Sequence, residues 1–61
     1  MMKILLVEDN KDISNNIKKI LEYENSSISV VQKFDGEEAI KSFLLDEFDL
    51  ILLDLMLPKI D

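Results

Sequence analysis

Two uninterrupted apolar runs constrain the fold of this chain more than any other feature. The first is Ile4 to Val7 and the second is Leu50 to Leu53, and an acid follows each run at once. Such runs suit strands that are buried on both faces, as in a parallel sheet covered by helices. Both are far shorter than the roughly 20 apolar residues of a membrane helix, and no signal-peptide pattern precedes the first. The expected compartment is therefore the cytoplasm.

A helical pattern follows the first run. Apolar residues recur at the i, i+4, i+7 and i+8 positions of one face, namely Ile13, Ile17, Ile20 and Leu21. This stripe predicts an amphipathic helix over Lys11 to Glu24, with Asn10 or Asp12 as its N-cap. The segment from Ile28 to Gln32 then predicts a short second strand.

A second helix is predicted before the second apolar run. Asp35, followed three residues later by Glu38, is a variant of the capping box that begins helices. An i, i+3, i+4 stripe continues the pattern with Ile40, Phe43 and Leu44. The order strand, helix, strand, helix, strand indicates an α/β fold with right-handed crossovers between parallel strands. We expect one parallel sheet in the strand order 2-1-3, with helices on both faces and a topological switch point between strands one and three.

The composition excludes several function classes. The chain has no Cys and no His, so only oxygen atoms remain as plausible metal ligands. Seven lysines against 13 acidic residues give a net charge of -6, which argues against a nucleic-acid-binding surface. The single glycine, Gly36, cannot form either of the glycine-rich phosphate-binding loops.

Acidic residues follow the first and third predicted strands. These are Glu8 and Asp9 after the first strand and Asp54 after the third. Adjacent parallel strands lie about 4.8 Å apart and end at the same edge of the sheet, so we expect the three carboxylates to converge. Clustered carboxylates repel one another, and a donor set made only of oxygen favours Mg²⁺. A carboxylate can also act as a nucleophile and form an aspartyl phosphate, and Asp54 is the candidate.

A simpler interpretation of the same acids stays open. Acids at strand ends commonly cap the next helix or face solvent, and this would account for Glu8 and Asp9. Asp54 fits it less well, because it is flanked on both sides by apolar residues and is costly to bury without a partner.

Three segments carry recognisable motifs: KILLVEDN at residues 3–10, DGEEAI at residues 35–40 and DLILLDLMLP at residues 49–58. Together, in this order and spacing, they resemble the receiver domain of bacterial two-component response regulators. The resemblance implies that Asp54 is the phosphoacceptor and that Glu8 and Asp9 hold Mg²⁺. It further implies that the backbone carbonyl of Met56 is a ligand of the same metal. A histidine kinase would be the phosphodonor, and the domain would be a signalling switch rather than a turnover enzyme.

The resemblance also sets the expected extent of the domain. Residues 1–61 correspond to the N-terminal half of a receiver domain with a partial flavodoxin-like fold, and no second domain is expected in this chain. The residues after Asp54 look most like regulators of transcription with a winged-helix output domain. The apolar third strand would leave an exposed sheet edge, from which we expect a homodimer.

Two other function classes use the same residues. A Mg²⁺-dependent phosphatase or phosphomutase shares the aspartate nucleophile, but such enzymes usually place a second acid where this chain has Met56. A non-catalytic, dimerising receiver fragment would leave Asp54 unphosphorylated. Mg²⁺ binding that weakens in Asp54→Asn would favour the phosphoacceptor over the non-catalytic fragment.

Overall fold

The five predicted elements are present in residues 1–53, the part of the chain that the computed structural model describes. The strands are β1 (Met2–Val7), β2 (Ile28–Lys33) and β3 (Leu50–Leu53), and the helices are α1 (Lys11–Glu24) and α2 (Gly36–Leu45). The sheet has the order β2-β1-β3, and β1 is parallel to both neighbours. The α/β class and the strand order 2-1-3 are therefore confirmed.

The strand bounds differ slightly from the apolar pattern. β1 begins two residues before the apolar run, because the Met2 N–H donates to the Ser27 carbonyl at 3.0 Å and extends the ladder. β2 continues one residue beyond Gln32, where Lys33 pairs with Val7. Backbone pairing thus carries the strands past the residues whose side chains mark them.

Both helices begin at a side-chain cap. Asn10 Oδ1 accepts a hydrogen bond from the Ile13 N–H at 3.0 Å, so Asn10 rather than Asp12 is the N-cap of α1. Asp35 Oδ1 accepts from the Glu38 N–H at 2.8 Å and caps α2 in the same way. These bonds satisfy donors that the first helical turn leaves without a partner. Neither helix of residues 1–53 has the length and apolar character needed to span a membrane.

The main core lies between α1 and one face of the sheet. Its buried residues are Ile4, Leu6 and Val30, and partly buried apolar residues pack around them: Ile17, Leu21, Ile28 and Leu52. Because alternate strand residues face the same side, β1 gives Ile4 and Leu6 to this face and Leu5 to the other. This alternation explains why the run is apolar throughout.

The apolar stripe predicted for α1 is centred in the wrong place. Ser14 is the fully buried residue of α1, whereas Ile13 and Ile20 are 47% and 62% exposed. Ile17 and Leu21 do pack on the core, as predicted. Since Ser14, Ile17 and Leu21 follow an i, i+3, i+7 spacing, the buried line runs along one side of the isoleucine stripe.

α2 covers the opposite face less completely. Its buried residue is Ala39, and the predicted stripe of Ile40, Phe43 and Leu44 is exposed rather than buried. A helix that touches the sheet through its smallest side chain leaves the larger neighbours at the rim. Strand and helix residues on this side line an open apolar depression of about 220 Å³.

Contacts of Lys3 fasten the amino end of the sheet. The Lys3 N–H donates to Asp49 Oδ2 at 2.7 Å, and the Asp49 N–H donates to the Lys3 carbonyl at 2.8 Å. The Lys3 ammonium pairs with Asp46 and lies 5.4 Å from the ring centroid of Phe48. These contacts hold the start of β3 beside β1. Because the two strands then run in one register, the contacts also determine which residue of β1 lies beside the end of β3.

Candidate functional site

Glu8 is the first residue after β1, at the carboxyl end of the sheet. Its backbone N–H donates to the Lys33 carbonyl at 3.0 Å, which continues the β1–β2 ladder beyond the strand. The residue is only 6% exposed, and its Oε2 accepts a hydrogen bond from the Asn10 N–H at 3.0 Å. A buried carboxylate is costly unless it is hydrogen-bonded or coordinated. The fold therefore holds the Glu8 carboxylate in a defined orientation at this edge.

Asp9 lies in the bend between β1 and α1 and is exposed. It precedes the N-cap of α1, where the partial positive charge of the helix terminus favours nearby anions. The simpler interpretation, in which these acids cap the helix or face solvent, holds for only one of the two. Asn10 is the cap and Glu8 is buried, while Asp9 does face solvent.

The sheet register brings the end of β3 beside the end of β1. Leu53, the last residue of β3, pairs with Val7, the last residue of β1. Asp54 follows Leu53 in the sequence, but Asp54 and the predicted Met56 carbonyl ligand lie outside the described residues. Among residues 1–53 there is no group of three or more acidic, His or Cys side chains that could hold a metal. The predicted convergence of Glu8, Asp9 and Asp54 stays a prediction.

Polar contacts that the sequence did not reveal connect α1 to β2 beside these acids. Gln32 Nε2 donates to Ser14 Oγ and to Asn15 Oδ1, both at 2.8 Å. The Ser14 N–H in turn donates to the Asn10 carbonyl at 2.9 Å. The sequence feature that could have indicated these contacts is Ser14, a serine among the apolar residues of α1, together with the amide side chain of Gln32 near the end of β2.

A cationic side chain lies at the same end of the fold. Lys11 Nζ is 5.4 Å from the ring centroid of Phe34, within the range of a cation–π interaction. This contact joins the start of α1 to the segment between β2 and α2. It provides a positive charge two residues from Asp9, in a chain of net charge -6.

The donor chemistry of this edge fits Mg²⁺. Carboxylate oxygens are the protein ligands that Mg²⁺ prefers, and it takes one or two of them while keeping several waters. Glu8 supplies an oriented carboxylate and Asp9 an accessible one. In open α/β sheets, ligands bind outside the carboxyl ends of the strands at a topological switch point, which here lies between β1 and β3. The fold and the acids together define a parallel α/β domain with two acids, Glu8 and Asp9, at the carboxyl end of its central strand.

Comparison with known proteins identifies the family within this class. The chain belongs to the response regulator receiver domain family, which matches residues 4–61. It is 43% identical to the response regulator ArlR of Staphylococcus saprophyticus over 61 residues, which is all of this chain and 27% of ArlR. The predicted receiver family is therefore confirmed.

Two further relatives have a similar sequence identity to this chain. The chain is 44% identical over 59 residues to the transcriptional regulatory protein CpxR of Escherichia coli K12, covering 97% of this chain and 24% of CpxR. It is 46% identical over 59 residues to the transcriptional regulatory protein CiaR of Streptococcus pneumoniae, covering 97% of this chain and 25% of CiaR. The chain thus spans about a quarter of the length of these relatives. No solved structure matches it significantly.

Proposed function

We propose that this chain is the phosphoacceptor part of a two-component response regulator and that it accepts a phosphoryl group on Asp54 with the help of Mg²⁺. The observation that carries the proposal is the buried, hydrogen-bonded carboxylate of Glu8 at the carboxyl end of β1. The pairing of Val7 with Leu53 supports a position for Asp54 at the same edge. Membership of the receiver family supports the phosphoacceptor role.

The proposed chemistry is a transfer between two covalent partners. An Asp54 carboxylate oxygen forms a bond to phosphorus while the bond from phosphorus to the donor breaks, and the donor leaves with the bonding electron pair. With a histidine kinase as the donor, the leaving group is the imidazole of its phosphohistidine. Bound Mg²⁺ would neutralise the charge that develops on the phosphoryl oxygens. Glu8, Asp9, Asp54 and the Met56 carbonyl would hold the metal.

The proposal extends to the protein in which this segment acts. Residues 1–61 form the N-terminal half of a receiver domain, which works as a phosphoacceptor switch in the cytoplasm rather than as a turnover enzyme. CpxR and CiaR are named transcriptional regulatory proteins, which supports a role in transcriptional regulation here.

Incubation with acetyl phosphate and Mg²⁺, followed by intact-mass spectrometry, tests the phosphoacceptor. We expect one added phosphoryl group, lost in Asp54→Asn and when the metal is chelated. Glu24→Gln is the control, because it removes an exposed acid at the last residue of α1, away from the carboxyl end of β1. Labelling that persists in Asp54→Asn, or a folded wild-type chain that is never labelled, would contradict the proposal. Steady release of phosphate would instead indicate the phosphatase alternative.

We further propose that the chain forms a homodimer through the edge of β3 that faces away from β1. Within residues 1–53, β3 pairs with β1 alone, and Leu50, Ile51 and Leu53 are exposed. On the other edge of the sheet, the outward Val30 N–H of β2 is already occupied, because it donates to Glu22 Oε2 at 2.9 Å. Exposed apolar edges pair readily with another strand, whereas covered edges do not.

Analytical ultracentrifugation tests this association. We expect a concentration-dependent dimer that Ile51→Lys dissociates, since a charge on an edge strand opposes pairing. Ile20→Lys, which changes a more exposed isoleucine on α1, is the control and should leave the dimer intact. A folded chain that stays monomeric at high concentration would contradict this second proposal.

A further inference from the structure

A closed series of hydrogen bonds surrounds the turn between β1 and α1. Gln32 Nε2 donates to Ser14 Oγ at 2.8 Å, and the Ser14 N–H donates to the Asn10 carbonyl at 2.9 Å. The Asn10 N–H donates to Glu8 Oε2 at 3.0 Å. The Glu8 N–H returns to β2 through the carbonyl of Lys33, the residue after Gln32, at 3.0 Å. β2 therefore holds the Glu8 backbone directly and is connected to the Glu8 side chain through Ser14 and Asn10.

Asn10 connects the two halves of this series. Its N–H and its carbonyl are both engaged, one by the Glu8 carboxylate and the other by the first full turn of α1. A rotation of α1 about its axis would move the Asn10 peptide groups and, with them, the donor that orients Glu8. The bond from Gln32 to Ser14 opposes that rotation, because it joins a side chain of β2 to the helix.

The burial of Ser14 distinguishes this contact from an ordinary surface hydrogen bond. Ser14 has no exposed surface, although serine is usually found outside the core. A buried hydroxyl needs a partner, since leaving it without one costs about 1–3 kcal/mol. Gln32 supplies that partner, so the seating of α1 at this point depends on one specific amide.

We propose that Gln32 is a positioning residue for the metal site: through Ser14 and Asn10 it orients the Glu8 carboxylate for Mg²⁺. This inference rests on the proposed function, in which Glu8 is a ligand of the metal. Gln32 itself does not touch the metal. Groups hydrogen-bonded directly to a ligand typically change metal affinity by about 10- to 100-fold, so we expect a smaller effect of about three- to tenfold from this more distant residue.

Calorimetric Mg²⁺ titration of the full chain tests the inference. Ser14→Ala removes the hydroxyl with little change in volume, and Gln32→Met removes the amide while keeping the length of the side chain. Each is expected to weaken the Kd for Mg²⁺ about three- to tenfold. The double variant should be no weaker than either single one, because both break the same series of bonds. The amide resonance of Asn10 should shift in both variants before metal is added.

Two control variants separate positioning from general loss of stability. Asn15→Ala removes the other acceptor of Gln32, and Glu22→Ala removes the bond to the Val30 N–H near the far end of α1. Both should bind Mg²⁺ like the wild type. Folded Ser14→Ala and Gln32→Met variants with unchanged Kd would overturn the inference alone, as would an equal loss in Glu22→Ala. A wild-type chain without saturable Mg²⁺ binding would overturn the proposed function, and the inference with it.

Discussion

The two faces of the sheet are built differently although each is covered by one helix. On the α1 face, Ile4, Leu6 and Val30 form a buried cluster, and hydrogen bonds from Gln32 and to Glu22 join helix and strand at two points. On the α2 face, Ala39 is the buried residue of the helix, while Ile40 and Phe43 stay more than half exposed. The α1 face is thus the more firmly held side of the sheet. The acidic edge, by which we mean Glu8 and Asp9 at the carboxyl end of β1, adjoins this face.

This difference indicates that α1, rather than α2, can hold the side chains of the candidate site in place. Precise placement of ligand groups requires side chains whose neighbours are locked by packing and hydrogen bonds. The turn from β1 to α1 meets that requirement, because Glu8 is bonded to Asn10 and to Lys33. The α2 face offers an open apolar depression instead.

The largest expected effect comes from truncating the α1 core. Leu6→Ala should lower the free energy of unfolding by about 2–5 kcal/mol, since it leaves a cavity among buried residues. A core this small rarely supplies more than about 3–5 kcal/mol, so the variant should be largely unfolded by circular dichroism. Ile40→Ala on the α2 face is the matched control and should cost less than about 1 kcal/mol. Equal losses in the two variants would remove the distinction between the faces.

An intermediate effect is expected from the hydrogen bond at the far end of α1. Glu22→Ala removes the acceptor of the Val30 N–H and should cost about 1–2 kcal/mol in urea unfolding. It also frees one backbone N–H on the outer edge of β2, which should increase aggregation. Glu24→Ala, which changes an exposed residue two positions further along α1, should alter neither the stability nor the aggregation. Unchanged stability in Glu22→Ala would show that this hydrogen bond does not help to hold α1 on the sheet.

The sequence predicted the fold because the strand signal was strong and the crossovers left few topologies. The run Ile4 to Val7 needs burial on both faces, and the structure provides a helix on each side. The bounds of α1 agree with the prediction from Lys11 to Glu24. Periodicity gives the width of an apolar stripe but not its centre, and here the buried line includes Ser14, which is hydrogen-bonded to Gln32 of β2.

The candidate site was only partly predictable, because a side-chain pattern marks where a strand ends but not the path of the turn that follows. The position of Glu8 and Asp9 follows from where β1 ends, which the apolar run marks. The burial of Glu8 and its bond from the Asn10 N–H depend on the backbone path of the turn, which no side-chain pattern encodes. The role of Ala39 was missed because hydrophobic spacing favours large residues, whereas close helix packing favours small ones.

The smallest expected effect is electrostatic and lies at the opposite end of the sheet. The Lys3 side chain, by donating a hydrogen bond, and the Glu47 N–H hold the pKa of Asp46 below its ordinary value. Because the pKa is lower in the folded state, the stabilisation is complete above the ordinary carboxyl range near about pH 4 and is lost as the pH falls through the lowered value. The effect should be small, since Asp46 is exposed and exposed pairs are screened by solvent.

Thermal unfolding as a function of pH measures this contribution. Asp46→Asn should unfold at a lower temperature than the wild type at neutral pH, and the difference should disappear in acid. Glu47→Gln removes the neighbouring charge without breaking the pair with Lys3 and should match the wild type. A difference for Asp46→Asn that is independent of pH would contradict this account.

In the proposed function, the acidic edge beside the α1 face holds Mg²⁺. A Mg²⁺ titration followed through backbone amide resonances tests it most directly. We expect saturable shifts confined to the ends of β1 and β2 and to residues after Leu53, with the shifts weakened in Glu8→Gln. Absence of saturable shifts, or shifts spread equally over acids elsewhere such as Glu37, Glu38 and Asp46, would contradict the claim.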